Sequence, residues 1–307
     1  MSNLANERVA YLNGEIIPES RVQVSFRDRG FKYGEAVFDT ARTVRHKPFK
    51  LEEHVRRLFR SMKYLSIDAQ LSFDEIMERS NEVLERNLHL IDPDDDYWLF
   101  QRITPGSADP FLSQANAEPT VIIECTPLPL KARAPLFRDG VKVQVPATRR
   151  TPPDAVSPRA KMQNYINLLL ADREARSIDP QAWAVLLDHT GNIAEGLGSN
   201  IFFVREGELL TPRERFVLPG VSRETVIDLA HEEKIPVHET DLDLFDAFTS
   251  DECFLTSTSL CMVPVATMNG RAMGQQVPGP MTARLMDAYK RLMDFDFVEQ
   301  YTRHLDA

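Results

Sequence analysis

The chain has 307 residues, 43% of them hydrophobic and 27% charged, an ordinary globular balance with room for one large or two medium domains. A formal net charge of −10 argues against a nucleic-acid partner, which calls for a basic face, but leaves room for a local basic pocket around a small phosphate. No apolar run approaches the roughly 20 residues of a membrane helix, and the opening MSNLANERVAYLNG lacks the basic and apolar regions of a signal peptide, so neither is expected.

The stretch VAYLNGEIIPESRVQVS reads as a hairpin, with alternating apolar residues around Asn13–Gly14, a strong turn signal. FRDRGFKYGEAVFDTARTVRHKPFKL holds two more strands. In the first, Val37, Asp39, Ala41 and Thr43 share one face, and Phe38, Thr40, Arg42 and Val44 share the other. From residues alone, Tyr33 and Phe38 are core and Arg42 pairs with an acid. LEEHVRRLFRSMKYLSI is an amphipathic helix, with Leu51, His54, Val55, Leu58, Met62 and Leu65 at helical spacing. Arg57 lies at the edge of that stripe and Arg56 on the solvated side. A second helix follows, capped by Ser72 with Glu75 completing a capping box. The acids Asp92 and Asp94–Asp96 read as a solvated turn, without the glycine and terminal Glu of a calcium loop.

DYWLFQRITPGSADPF and EPTVIIECTPLP read as strands. Arg102 shares a face with Trp98 and Phe100, either as a carboxylate binder or as a surface residue. The Pro-rich PLPLKARAPLFRDG reads as an interdomain connection. The expected division is a small domain over 1–127, a linker over 128–136 and a larger domain over 137–307. A loop then leads to Lys161, which opens a helix-like run, so that Tyr165 sits one turn on at i+4.

The strand Ala182–Leu187 follows, then a turn at His189–Asn192, then Glu195 just before the small-residue bend Gly196–Ser199 and a buried strand. LPGVS leads into the helix RETVIDLAHEEK, with Ser222 as its N-cap and Glu224 and Asp228 suiting the first turn. A helix N-terminus after glycine is an anion site. DECFLTSTSLCMVPVATMNG is a strand ending in the bend Thr256–Ser259, whose hydroxyl and backbone donors suit an oxyanion. Asn269–Gly270 is another hairpin turn, and a helix closes the chain from Gly279. The seven histidines show no HxxxH or HExxH spacing, so no metal site is expected. Cys125, Cys253 and Cys261 form no CxxC and read as buried reduced thiols of a cytosolic protein.

A lysine that becomes reactive when desolvated and a carboxylate that keeps a ring nitrogen protonated are what pyridoxal phosphate chemistry most needs. Lys161 and Glu195 are such a pair, although either alone reads as a surface residue. The wording around them decides. TRRTPPDAVSPRAKMQNYINLLLA, GNIAEGLGSNIFFV and VLPGVSRETV resemble successive motifs of the class IV aminotransferases, from about Tyr11 to near Met293.

That resemblance implies an α+β, two-domain fold type IV enzyme, similar to D-amino-acid aminotransferases, with a small N-terminal domain and a larger barrel-like C-terminal domain. It implies pyridoxal 5'-phosphate linked to Lys161 as the catalytic residue. Glu195 would serve the ring nitrogen and Tyr165 the ring oxygen. Arg57, as the arginine of the H-x-x-R-L signature, would serve the phosphate together with the Val221 backbone, Ser222 and Thr258. Substrate contacts carry over to Tyr33, Phe38, Arg42 and Ser259, and to Trp98 and Phe100, which stand where branched-chain enzymes have a Y-x-R pair. The implied reaction is ping-pong transfer of an amino group between an amino acid or amine and a 2-keto acid. Branched-chain amino acids are the default donors; (R)-amines or D-amino acids with pyruvate, and then aminodeoxychorismate lyase chemistry, are the alternatives. The resemblance also implies a homodimer or higher homo-oligomer in the cytoplasm, with Tyr33 reaching toward the partner's site.

Overall fold

The Asn13–Gly14 turn closes β1 (Val9–Leu12) on β2 (Glu15–Pro18), with Asn13 at φ +46° and Gly14 at φ +102°. This hairpin begins the first of two units in the computed structural model, which describes residues 7–107 and 118–305. Unit 1 comprises residues 1–128 and 160–164; unit 2 comprises residues 129–159 and 165–307. The tail of the DYWLFQRITPGSADPF reading, from residue 108, lies outside the described residues.

Unit 1 is a six-stranded sheet of order β2-β1-β6-β5-β3-β4, with every pairing antiparallel. Its other strands are β3 (Val37–Val44), β4 (Lys47–Phe49), β5 (Tyr97–Thr104) and β6 (Thr120–Pro127). A short helix, α1 (Arg29–Tyr33), precedes β3. The alternation of β5 is strict: Tyr97, Leu99, Gln101 and Ile103 are buried, while Trp98, Phe100, Arg102 and Thr104 are half-buried. The buried face packs against α2 (Leu51–Leu65) and α3 (Phe73–Asn87) through Val55, Leu58, Ile76, Val83, Leu99 and Ile123. Ser72 caps α3 and Glu75 completes the capping box. Residues 160–164 return to this sheet. Met162 bridges Val37, and Gln163 N–H donates to the Ala36 carbonyl at 2.8 Å.

Unit 2 begins with α4 (Leu130–Asp139), in the segment that reads as a linker. Leu130, Ala134 and Phe137 recur at helical spacing and are buried, and that apolar face outweighs the N–H missing at exposed Pro135. The nine-stranded sheet runs β12-β11-β10-β13-β14-β7-β8-β9, with β15 on β14. Its strands are β7 (Val141–Gln144), β8 (Trp183–Leu187), β9 (Ile193–Gly196), β10 (Asn200–Arg205), β11 (Glu208–Pro212), β12 (Val237–Thr240), β13 (Glu252–Ser257), β14 (Cys261–Met268) and β15 (Arg271–Ala272). β9, at one end, packs back against β10 and β11, so the sheet curls. Around it lie α5 (Ile166–Ile178), α6 (Val221–Glu232), α7 (Leu244–Phe248), α8 (Pro280–Met293) and α9 (Phe297–Thr302). Cys125, Cys253 and Cys261 are buried, and among the described residues they form no disulfide. Among the described residues no helix is long and apolar enough to cross a membrane.

Candidate active site

In unit 1 the residues of interest gather around Lys161. Its segment is extended, not helical: α5 starts only at Ile166, and Tyr165 is the cap residue before it. The reason is local pairing. Lys161 C=O accepts from Phe38 N–H at 3.0 Å, and Lys161 N–H donates to Ser61 Oγ at 3.0 Å. Both groups are committed sideways, so no helical ladder can start there. The ammonium group lies 4.6 Å from the centroid of the Phe38 ring.

Arg57 is 3% exposed and Arg56 solvent-facing, as the helix stripe predicts. Arg57 donates through Nε and Nη2 to the two oxygens of Asp39, each at 2.8 Å. His54 Nδ1 lies 2.7 Å from the same carboxylate. Burial alone would raise the Asp39 pKa; the Arg57 charge and the hydrogen bonds from His54 and Arg57 outweigh it and hold the carboxyl far below the usual range. Burial holds His54 below its ordinary value, against the pull of Asp39. Ser61 Oγ donates to the Arg57 carbonyl at 3.0 Å, so one serine links the arginine helix to the lysine backbone.

The half-buried face of this sheet carries Phe38, Trp98, Phe100 and Arg102. The Trp98 and Phe100 rings meet at 6.0 Å. Arg102 donates through Nε and Nη2 to Glu124 Oε1 at 3.2 and 3.1 Å, and its guanidinium lies over Phe100 and Phe38. Arg42, in contrast, is 1% exposed: Nε donates to the Thr43 carbonyl at 2.9 Å, and Nη2 is 3.7 Å from Asp96. The structure therefore gives Arg42 its acid-paired role. Asp96 correspondingly leaves the solvated turn expected of its acidic run. It is buried and also accepts from Thr43 Oγ1 at 2.5 Å and His46 N–H at 3.0 Å, because a carboxylate beside a buried guanidinium is retained in the core. Tyr33, just before the α1 cap glycine Gly34 at φ +70°, is 53% exposed.

In unit 2, Glu195 on β9 is buried, and both of its oxygens are engaged. Arg150 Nε donates to Oε1 at 2.9 Å and Leu218 N–H donates to Oε2 at 2.8 Å. Leu218 begins the turn into α6. Its carbonyl accepts from Asn200 Nδ2 at 3.0 Å, so the carboxylate and the helix start are fixed to each other. The N-cap of α6 is Gly220, not Ser222, because the Pro219–Gly220 turn lets helical geometry begin at Val221. A Cβ at Gly220 would run into Asn200 Oδ1, which accounts for the glycine. With no side-chain cap, the first N–H groups of α6 have no side-chain acceptor at the cap, the arrangement that binds an anion. Ser222 is buried in the first turn.

Thr258 and Ser259 occupy the turn from β13 to β14, with Thr258 half-buried and Ser259 buried. The Tyr165 ring packs on the core of α5 and β8.

These donor sets fit the cofactor that the resemblance implies. A carboxylate offers about four acceptor positions, and Arg150 and Leu218 use two at Glu195, which leaves capacity for a protonated ring nitrogen. Sequence reasoning passed over Asp39, Ser61 and Arg150. Asp39 left a signal, an acid alternating with Val37 and Ala41 on an apolar strand face, which requires a buried partner. Ser61 and Arg150 left none. No cluster of three or more His, Cys, Asp or Glu among the described residues could hold a metal ion.

Residues 36–268 match the family model of amino-transferase class IV. The Methanocaldococcus jannaschii protein named "Putative branched-chain-amino-acid aminotransferase" is 36% identical over 284 residues, 91% of this chain and 94% of its own. The branched-chain-amino-acid aminotransferase of Escherichia coli is 30% identical over 285 residues, 91% of each chain. A crystal structure of the Escherichia coli enzyme superposes with a TM-score of 0.86 over 94% of this chain and 95% of that one, at 30% identity. The branched-chain amino acid aminotransferase from Thermobaculum terrenum, solved in its PLP form, gives 0.82 over 98% and 97% at 27% identity.

Proposed function

Because this chain belongs to the class IV aminotransferases and is a transaminase of fold type IV, we propose that it works on branched-chain amino acids with pyridoxal 5'-phosphate held by Lys161, Arg57, Tyr165, Glu195, Val221, Ser222 and Thr258. The observation that carries this assignment is Glu195. It is a buried carboxylate held by two donors and tied through Leu218 to an uncapped helix start, so one backbone turn joins the ring-nitrogen acceptor to the phosphate donors.

When bound, pyridoxal phosphate supplies an electron sink at the carbon that loses its proton. Lys161 would hold the cofactor, and its Nζ would serve as base and acid, taking a proton from the donor carbon and returning one. Glu195 accepts from the protonated ring nitrogen while Arg150 and Leu218 fix its orientation. Arg57, held in place by the Asp39 carboxylate, serves the phosphate as a fixed charged fork. The Tyr165 phenol donates to the ring oxygen. Phe38, Trp98 and Phe100 offer an apolar aromatic face for an aliphatic substrate side chain, and Tyr33 and the Ser259 backbone complete the substrate contacts. The working form in this reading is a homodimer.

Borohydride reduction of the holoenzyme, followed by peptide mapping, tests the assignment. The pyridoxyl label is expected on Lys161, and Lys161→Ala is expected to abolish turnover and the label together. A label on any other lysine would refute it.

A further inference from the structure

The turn Ser257–Leu260 joins β13 to β14 and carries Thr258 and Ser259, assigned above to the cofactor phosphate and the substrate; in that reading the turn backbone faces the substrate carboxylate. A turn lies beyond the sheet ladder, so other groups must fix its backbone. Within it, Leu260 N–H donates to Ser257 Oγ at 3.2 Å. Beneath it, the Tyr301 hydroxyl of α9 donates to the Ser259 carbonyl at 2.9 Å. The Tyr301 ring is fully buried and stacks on Phe137 of α4, with centroids 4.7 Å apart and planes at 24°. Beside it, Arg133 of α4 donates through Nη1 to Ser259 Oγ. Arg133 lies one turn from Leu130 and Phe137 on the buried side of α4, and its guanidinium rests 5.8 Å over the Trp183 ring. Burial works against the Arg133 charge, and the Tyr301 side chain supports it.

We propose that Arg133 and Tyr301 are positioning residues of the transamination, clamping the side chain and carbonyl of Ser259 so that the turn offers Thr258 and the backbone beside it to phosphate and carboxylate in one fixed geometry. The proposal rests on the functional reading above. Its physical ground is preorganisation: a group displaced by about 1 Å from its working position loses on the order of 100-fold in rate. A serine held at both its hydroxyl and its carbonyl cannot rotate the turn. Neither clamp residue belongs to a motif, and Arg133 stands 126 residues from its serine.

The test uses three variants of the full chain. Tyr301→Phe keeps the stack on Phe137 and removes only the donor. Ser259→Ala removes the hydroxyl that Arg133 holds, and Arg133→Met removes the cation but keeps an apolar stem. Each apoenzyme is titrated with pyridoxal phosphate, its thermal midpoint is measured, and KM and kcat for the keto acid are determined after reconstitution.

We expect cofactor affinity or keto acid KM to worsen by about tenfold in each variant, a change of about 1.4 kcal/mol, with the apoenzyme midpoint shifted by only a few degrees. The Ser259→Ala, Arg133→Met double variant should be no worse than the poorer single, because both break one bond. Cofactor affinity and KM within twofold of wild type in Tyr301→Phe and Arg133→Met would overturn the proposal. So would losses in midpoint with unchanged affinity and KM. If the wild-type holoenzyme carries its pyridoxyl label on Lys161 while these variants are silent, the clamp fails and the functional reading stands; a label elsewhere overturns both.

Discussion

Replacing Asp39 with Asn changes one oxygen to an amide nitrogen in a site with almost no water. Asp39 is fully buried and Arg57 is 3% exposed, so solvent cannot take over as the counter-charge. The amide oxygen can accept from only part of the Arg57 fork, and the amide nitrogen must face either that fork or His54. What is lost is one charge of a buried pair, which costs about 3–5 kcal/mol because the other charge stays buried. Removing both, in Asp39→Asn with Arg57→Met, is expected to recover much of that loss.

The chain has two tryptophans, and Trp98 lies in unit 1. Urea unfolding of the apoenzyme in a Trp183→Phe background, followed by Trp98 fluorescence, therefore reads the unit that contains the pair. The folded Asp39 pKa is depressed, so its contribution is complete above the unfolded carboxylate value of about 4 and is lost progressively as pH falls from there through the folded value. The penalty of Asp39→Asn is accordingly expected to be flat from pH 7 to 9. His54 is also depressed: the unfolded chain takes up a proton that the folded one resists, so wild-type stability should fall as pH drops below about 6.5, more steeply than in His54→Asn. A penalty below about 1 kcal/mol in Asp39→Asn, the scale of an exposed pair, with no recovery in the double variant would refute the pairing.

Glu195→Gln is expected to keep the cofactor bound and to lower kcat by roughly tenfold to a hundredfold, the equivalent of a lost charged hydrogen bond of about 1.5–3 kcal/mol. Both of its fixed partners are donors, so the amide nitrogen must face one of them; near-normal turnover would show the carboxylate to be structural. Pyruvate, or another monocarboxylic keto acid, should be accepted at least as well as 2-oxoglutarate, because Arg102 is already held by Glu124 and the neighbouring face is aromatic. Steady-state kinetics with one donor and both acceptors decides this. A far higher specificity constant for 2-oxoglutarate that Arg102→Ala removes would make Arg102 the acceptor's carboxylate ligand.

What was legible in the sequence was mainly local. Asn13–Gly14, the Ser72 capping box and the stripe from Leu51 to Met62 each act through neighbours within a turn or two, and each appears where its spacing predicts. Arg57 could be separated from Arg56 for the same reason. The misreadings arose where a distant partner outweighed the local signal. Lys161 is drawn out of helical geometry by Phe38 and Ser61, Asp96 is drawn into the core beside Arg42, and the Pro-rich segment coils because Phe137 finds Tyr301. Gly220 took the cap from Ser222 because Asn200 leaves no room for a side chain there. Arg150 and Arg133 meet their partners at separations of 45 and 126 residues, and no spacing rule reaches that far.

The five residues 160–164 belong to unit 1, although the chain on either side of them belongs to unit 2. This gives the protein an unusual kind of inheritance. A fragment starting at Pro129 would carry Glu195, the helix start at Val221 and the turn at Thr258, but its lysine strand would have lost Ala36, Phe38 and Ser61, the groups that hold it extended. A graft of this C-terminal half onto a different N-terminal half would therefore keep the lysine in sequence and lose its setting. Recombination within such a lineage should succeed only where the incoming N-terminal half brings a matching strand and serine, so the two units must diverge as a pair.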